Sequence, residues 1–138
     1  MNEQIAKRWV DALRSGEYNQ GEGFLCRIDA NGRKYHCCLG VLCEILGAKG
    51  IKADLEQDPD DGNLIDENQT IIAYDGCVKL PPEVISKSAE FINATGNPRI
   101  FGVNGDMDTL ADLNDGIFSR PLTFNEIADI IEKKWSIL

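Results

Sequence analysis

The sequence predicts a single α+β domain: a small antiparallel sheet, formed by a hairpin at residues 24–37 and strands near 70–79 and 98–103, packed against about five helices. Three observations lead there. An Asn-Gly pair sits between two alternating runs, apolar stripes at helical spacing mark both ends of the chain, and an almost wholly apolar segment lies between them. At 138 residues the chain is long enough to bury a core without metals or disulfides, and too short to suggest a second domain.

Asn2 caps a helix from Glu3 to Ser15 whose stripe is Ile5, Ala6, Trp9, Val10 and Leu13, with Gly16 as its stop. GEYNQGEG is then a loop. FLCRIDANGRKYHC reads as a hairpin turning at Asn31-Gly32, a type I′ pair that needs two positive φ angles. Counting outward, Arg27 faces His36 and Cys26 faces Cys37. This register puts Cys26, Ile28, Tyr35 and Cys37 on one face and Arg27, Asp29, Lys34 and His36 on the other.

CLGVLCEILG carries one charge, Glu44, and reads as a central buried helix ending at Gly47, with Gly40 admitting a neighbouring backbone. IKADLEQDPDDGNLIDEN is an acidic, exposed connection. TIIAYDGCVKL has strand character, with a turn at Asp75-Gly76. LPPEVISKSAEFI is a short helix started by prolines, carrying Glu83 and Lys87 four residues apart and stopping near Asn93 to Gly96. NPRIFGVN is a strand, Asp106 caps a helix MDTLADLN closed by Gly116, and the last helix opens on the capping box Thr123 and Glu126. Its core face is Phe124, Ile127, Ala128, Ile131 and Trp135, and Lys133 and Lys134 suit its C-terminal dipole.

Composition narrows the function. The net charge is −9, from 14 basic and 23 acidic residues, so bulk nucleic acid and anionic membranes are repelled. No run approaches the roughly 20 apolar residues of a membrane span, and MNEQIAKRWVDAL lacks a signal-peptide core, so the expectation is a cytoplasmic protein with no membrane partner. Five cysteines in such a compartment read as reduced thiols.

KYHCCLGVLCEI sets the only histidine beside Cys37 and Cys38 at a helix N-terminus, where a thiol's pKa can fall. A cysteine hydrolase is therefore one reading. Against it, the predicted register points His36 away from Cys37, leaving only a His36–Cys38 dyad, and no second histidine supplies a base from elsewhere. Structural zinc needs two close ligand pairs, which Cys26, Cys37, Cys38, Cys43 and Cys77 do not form. A calcium loop centred on Gly62 fails because Gln57, Pro59 and Asn68 occupy the first, third and twelfth positions. No cofactor or metal is expected.

The polar hairpin face is the remaining site. Arg27, Lys34 and His36 projecting together would hold a phosphate or carboxylate, with Arg99 and Arg120 as further basic residues. The alternative is a solvated strand. Asn114 and Asp115 in LADLNDG either brace a turn or, for Asn114, read a ligand amide or base.

The blocks RWVDALRSGEYNQGEGFL, CCLGVLCEILG, LPPEV, LADLNDG and FNEIADIIE, in this order and over most of the chain, resemble a family of small, largely uncharacterised phage and prophage proteins. Two departures stand out: IFSRPL is longer than the family's pattern, and His36 stands where an aromatic residue is common. The resemblance implies a setting more than a chemistry, since small acidic phage proteins commonly act by binding. The expectation is a homo-oligomeric, anti-defence protein in the host cytoplasm that sequesters a small anionic ligand such as a host nucleotide signal, through Arg27, Lys34, His36, Arg99 and Asn114. A protein that binds a host protein is the alternative, and a cysteine hydrolase the third reading.

Overall fold

The computed structural model describes residues 1–93, 95–101, 107–117 and 120–138. Helix α1 (Glu3–Arg14) starts where the Asn2 side chain accepts the Ile5 N–H at 3.1 Å, and buries Ala6, Trp9, Val10 and Leu13. Strands β1 (Cys26–Ile28) and β2 (Lys34–His36) form the hairpin and lead into α2 (Cys38–Ile45), which is buried from Cys38 to Cys43. There follow β3 (Gly50–Lys52), β4 (Thr70–Tyr74), α3 (Glu83–Ser88), β5 (Arg99–Phe101), β6 (Met107–Thr109), α4 (Leu110–Asp115) and α5 (Phe124–Lys134). The α+β class is as expected, with five α-helices and two antiparallel sheets among the described residues. None of these helices is long and apolar enough to cross a membrane.

The main sheet has the order β2-β1-β4-β3. Two of its features depart from the sequence reading. Residues 50–52, the last two of them read as the start of an exposed connection, form an edge strand on β4. The strand near 98–103 does not join the main sheet; its described part, Arg99–Phe101, pairs with β6 alone, and residues 102–103 lie outside the described residues.

The hairpin turn also differs, and the difference inverts the sheet. Gly32 has a positive φ of 79° but Asn31 does not, so the turn is not type I′. Asp29 instead accepts the N–H groups of Asn31 and Arg33 through its carboxylate, and its backbone bonds both Gly32 and Arg33. This is a type I turn closed by a left-handed glycine, a loop of three residues rather than two. The register becomes Cys26 opposite His36, Arg27 opposite Tyr35 and Ile28 opposite Lys34. A one-residue shift exchanges the faces of a strand. Arg27 is thereby separated from Lys34 and His36. A two-residue turn with both φ positive does occur, at Asp75 (50°) and Gly76 (78°), where Tyr74 and Cys77 exchange two backbone bonds of 2.9 Å.

The helix predicted across MDTLADLN is divided. Residues 107–109 are strand, and Thr109 caps α4 with Asp112 completing its capping box; Asp106, the expected cap, lies outside the described residues. Gly116 closes α4 at φ 68°, as read. The α5 capping box is present as predicted, with the expected core face except that Trp135 lies just beyond the helix, in a short 3-10 turn.

The core gathers α1, α2 and α5 over the sheet. Trp9 donates its indole N–H to the Cys38 carbonyl at 2.9 Å, which fixes α1 across the start of α2. Gly40 lies so close to the backbone of Leu25, the residue leading into β1, that a Cβ there would run into the Leu25 carbonyl oxygen. Alanine has the better helix propensity by ~1 kcal/mol, but here the obstacle is backbone that cannot rotate away. Gly40→Ala should therefore destabilise the fold by ~2 kcal/mol, lowering the urea midpoint without changing the slope. An unchanged or higher midpoint would contradict this packing.

Candidate functional site

The inverted hairpin face brings His36 into the core, 4% exposed. Its Nε2 lies 3.2 Å from Glu44 Oε1, which also accepts the Tyr74 hydroxyl at 2.6 Å. The Tyr18 ring meets the imidazole edge-on at 5.4 Å. Nδ1 is buried with no partner among the described residues. The arrangement suits a neutral imidazole with its proton on Nε2, since protonating Nδ1 would bury an N–H without an acceptor. Burial pushes the His36 pKa down, against the pull of Glu44.

The other residues considered for the site are dispersed. Lys34 shares the His36 face but is exposed, and Arg27 lies on the opposite face with its guanidinium 4.7 Å from the Tyr35 ring centroid. Arg99 is exposed on β5, in the other sheet, while Arg120 pairs with Glu126. Asn114 is fully buried. The predicted anion site is therefore not assembled, because it depended on the hairpin register.

The buried thiols of the α2 segment, Cys37, Cys38 and Cys43, are poorly placed as nucleophiles. Cys37 is the N-cap residue of α2, but burial pushes its pKa up to about 12. Burial raises the Cys38 and Cys43 pKa values as well. Cys38 Sγ points to the Leu110 carbonyl at 3.6 Å. The only histidine is engaged by Glu44. A reactive thiolate needs an electropositive, partly exposed setting, and these sulfurs have the reverse.

Asn114 makes four hydrogen bonds. Its Oδ1 accepts the Cys38 N–H at 3.2 Å and the Gln20 amide at 3.1 Å, and its Nδ2 donates to the Gly21 carbonyl at 2.8 Å and to Asp115 Oδ1 at 2.9 Å. Gln20 also donates to the Leu122 carbonyl at 2.7 Å and accepts the Phe124 N–H at 2.9 Å. Asn114 is thus a brace, the structural alternative weighed for LNDG. It acts on a site only by holding Asp115.

Asp115 lines a cleft of about 300 Å³ where several segments converge. Gly23, Phe24 and Cys37 come from the flanks of the hairpin, Asp60 from the acidic connection, Lys79 and Leu80 from the segment after β4, and Asn97, Ala111, Asp112 and Ile117 from the α4 region. Lys79 Nζ stands 4.2 Å from the Phe24 ring centroid and 2.7 Å from Asp58. Three carboxylates, one lysine already engaged, an aromatic ring and apolar walls are the cleft's chemistry. Sequence reasoning missed it because its residues are local neighbours only in pairs; the signal within reach was Phe24 directly after the glycine-rich stretch Gly21-Glu22-Gly23. No group of three or more acidic, cysteine or histidine side chains among the described residues is disposed to hold a metal ion.

A family model described as Domain of unknown function (DUF8296) matches residues 1–135. No curated protein and no solved structure matches the chain.

Two measurements check this geometry. The unfolded imidazole takes up its proton near pH 6.5 and the folded one resists it, so the native state should lose stability as pH falls below about 6.5 and be indifferent to this group above it. His36→Phe should flatten that slope between pH 7.5 and 5.5 in urea titrations; equal slopes would oppose the assignment. Cys77 is half-buried and the other four thiols are buried. A disulfide reagent at pH 8 should accordingly titrate one thiol in the native protein and five in urea.

Proposed function

The chain belongs to the DUF8296 family, and we propose that it is a binding protein that holds a small molecule in the cleft between Phe24, Lys79 and α4. The observation that carries this reading is the cleft: about 300 Å³, the lower end of the range for small-molecule pockets, with a few polar groups set in apolar walls. One wall is held in place, since Asn114 donates to Asp115 Oδ1 at 2.9 Å, which favours a pre-formed site there over one that must fold around its ligand.

The role remains the one the phage-family resemblance implies, sequestration of a host metabolite or signal in the cytoplasm of an infected cell. The charge of the ligand is revised. An anion entering here would meet Asp60, Asp112 and Asp115, while the ammonium of Lys79 is already paired with Asp58. A neutral or cationic molecule with hydrogen-bond donors fits better than a nucleotide phosphate. A cysteine hydrolase is opposed by the raised thiol pKa values and by the engagement of His36 with Glu44.

A thermal-shift panel of nucleosides, polyamines and amino-acid amides, with cyclic oligonucleotides for comparison, tests the proposal. Members of the first group should raise the melting temperature, and Phe24→Ala should weaken the best of them about tenfold, a plausible loss for one aromatic face. Stabilisation by the cyclic oligonucleotides alone would restore the anionic reading. Insensitivity to Phe24→Ala, or no stabilisation by any member, would overturn the cleft as the site.

A further inference from the structure

The two edges of the main sheet are treated differently. Along β2 the chain covers its own edge: the His36 N–H donates to the Asn19 carbonyl at 2.8 Å, the His36 carbonyl accepts from Gly21 at 2.7 Å, and the Asn19 amide donates to the Lys34 carbonyl at 3.0 Å. Gln20 thereby forms a parallel bridge with His36. At the other edge, β3 has no such cover among the described residues.

The direction of its free groups follows from the register. Ala53 donates to the Ile71 carbonyl at 2.8 Å, and Ile51 lies opposite Ala73. Hydrogen-bonded pairs alternate along an antiparallel ladder, so Ile51 bonds β4 while the N–H and C=O groups of Gly50 and Lys52 point outward. Tyr74, opposite Gly50, confirms the phase, because its own backbone groups are spent on Cys77. Two donors and two acceptors are thus presented to any strand laid alongside.

Beside this edge runs a groove of about 460 Å³ whose lining sets Ala48, Ile51, Pro82 and Val84 beside Lys49, Asp75 and Ser88. Ile51 is 58% exposed and Val84 59%. Lys49 and Lys52 flank Ile51, both exposed and neither in an ion pair among the described residues. Lys7, Arg14, Lys79, Lys87 and Arg120 meet carboxylates; Arg33, Lys34, Arg99, Lys133 and Lys134 are, like Lys49 and Lys52, in no ion pair among the described residues, and what sets Lys49 and Lys52 apart is their place on an open strand edge beside Ile51. In a chain of net charge −9, two unmet lysines about one exposed isoleucine on an open edge select their partner's charge.

We propose that β3 is a docking strand for an extended segment of another protein, in which carboxylates flank an apolar residue. Laid antiparallel, that segment places an acidic residue opposite Lys52, an apolar one opposite Ile51 beside the groove, a residue of free choice opposite Gly50 and a second acidic residue opposite Lys49. Backbone bonds to Gly50 and Lys52 supply affinity, and the lysines and the groove supply selection. A second copy of this chain fits less well. Two β3 strands paired about Ile51 set Lys52 opposite glycine and Lys49 opposite Ala53, so neither lysine meets a carboxylate; the same lysines guard the edge against self-pairing. Asp75, at the groove wall, disfavours a further acidic residue there.

The probes are two fluorescein-labelled ten-residue peptides, one with Glu-Val-Thr-Glu at its centre and one with Lys-Val-Thr-Lys. The acidic peptide should bind at least tenfold more tightly, lose affinity as salt is raised, and slow amide exchange at Gly50 and Lys52. The double variant Lys49→Glu with Lys52→Glu alters only exposed side chains and should reverse the preference. Failure of the acidic peptide to bind, a preference unmoved by charge reversal, or protection elsewhere in the chain would overturn the proposal. So would a dimer in sedimentation whose contact protects Gly50 and Lys52, since that gives the edge to a second copy.

Discussion

The structure depends on a pair of side-chain amides, Asn114 and Gln20. Helix α2 begins at an N-cap cysteine that offers no side-chain acceptor, so the Cys38 N–H needs a partner from elsewhere, and Asn114 supplies it from the end of α4. Gln20 accepts the Phe124 N–H at the start of α5 and donates to the chain at Leu122. The two amides then bond each other. Loop, central helix, short helix and final helix are tied at one buried point, where loss of a side chain would leave several polar groups unmet at ~1–3 kcal/mol each. One side of the cleft is tied to the same point, because Asp115 is held by Asn114 and Cys37 precedes the braced N–H.

A second constraint is the length of one loop. DANG contains two competing signals: Asn-Gly suits a two-residue type I′ turn, while Asp at the first position and Gly at the fourth suit a type I turn. The Asp29 carboxylate decides between them by accepting two backbone N–H groups, which a two-residue turn starting at Ala30 would not offer it. From that one carboxylate follows the position of His36, inside against Glu44 and Tyr74 rather than outside with Arg27. At Asp75-Gly76 no earlier acid competes in this way, and the type I′ geometry appears.

Legibility in the sequence follows the range of the interaction that decides each feature. Helices α1 and α5 are fixed by caps and stripes within a dozen residues, and both were readable; α2 was readable because it is apolar on every side. The close approach at Gly40 was also legible, although its partner, Leu25, was not. Strand β3 escaped because three residues in an acidic context acquire strand character only from β4, some 20 residues on. The cleft escaped for the same reason in stronger form: its residues span positions 23 to 117 and meet only once the brace has formed. The basic hairpin face was an error of register, and everything built on its convergence moved with it.

The brace also explains why the two sheet edges differ. Gln20 cannot reach Asn114, Leu122 and Phe124 unless residues 19–21 lie along β2, so covering that edge is a by-product of anchoring the helices. Among the described residues nothing comparable draws a segment over β3. After its last bond, from Ala53 to Ile71, the chain leaves β3 for the acidic connection, whose own anchor, Asp58, is held by Lys79 at the cleft. The fold therefore closes one edge by necessity and leaves the other to whatever chemistry its lysines and exposed isoleucine select.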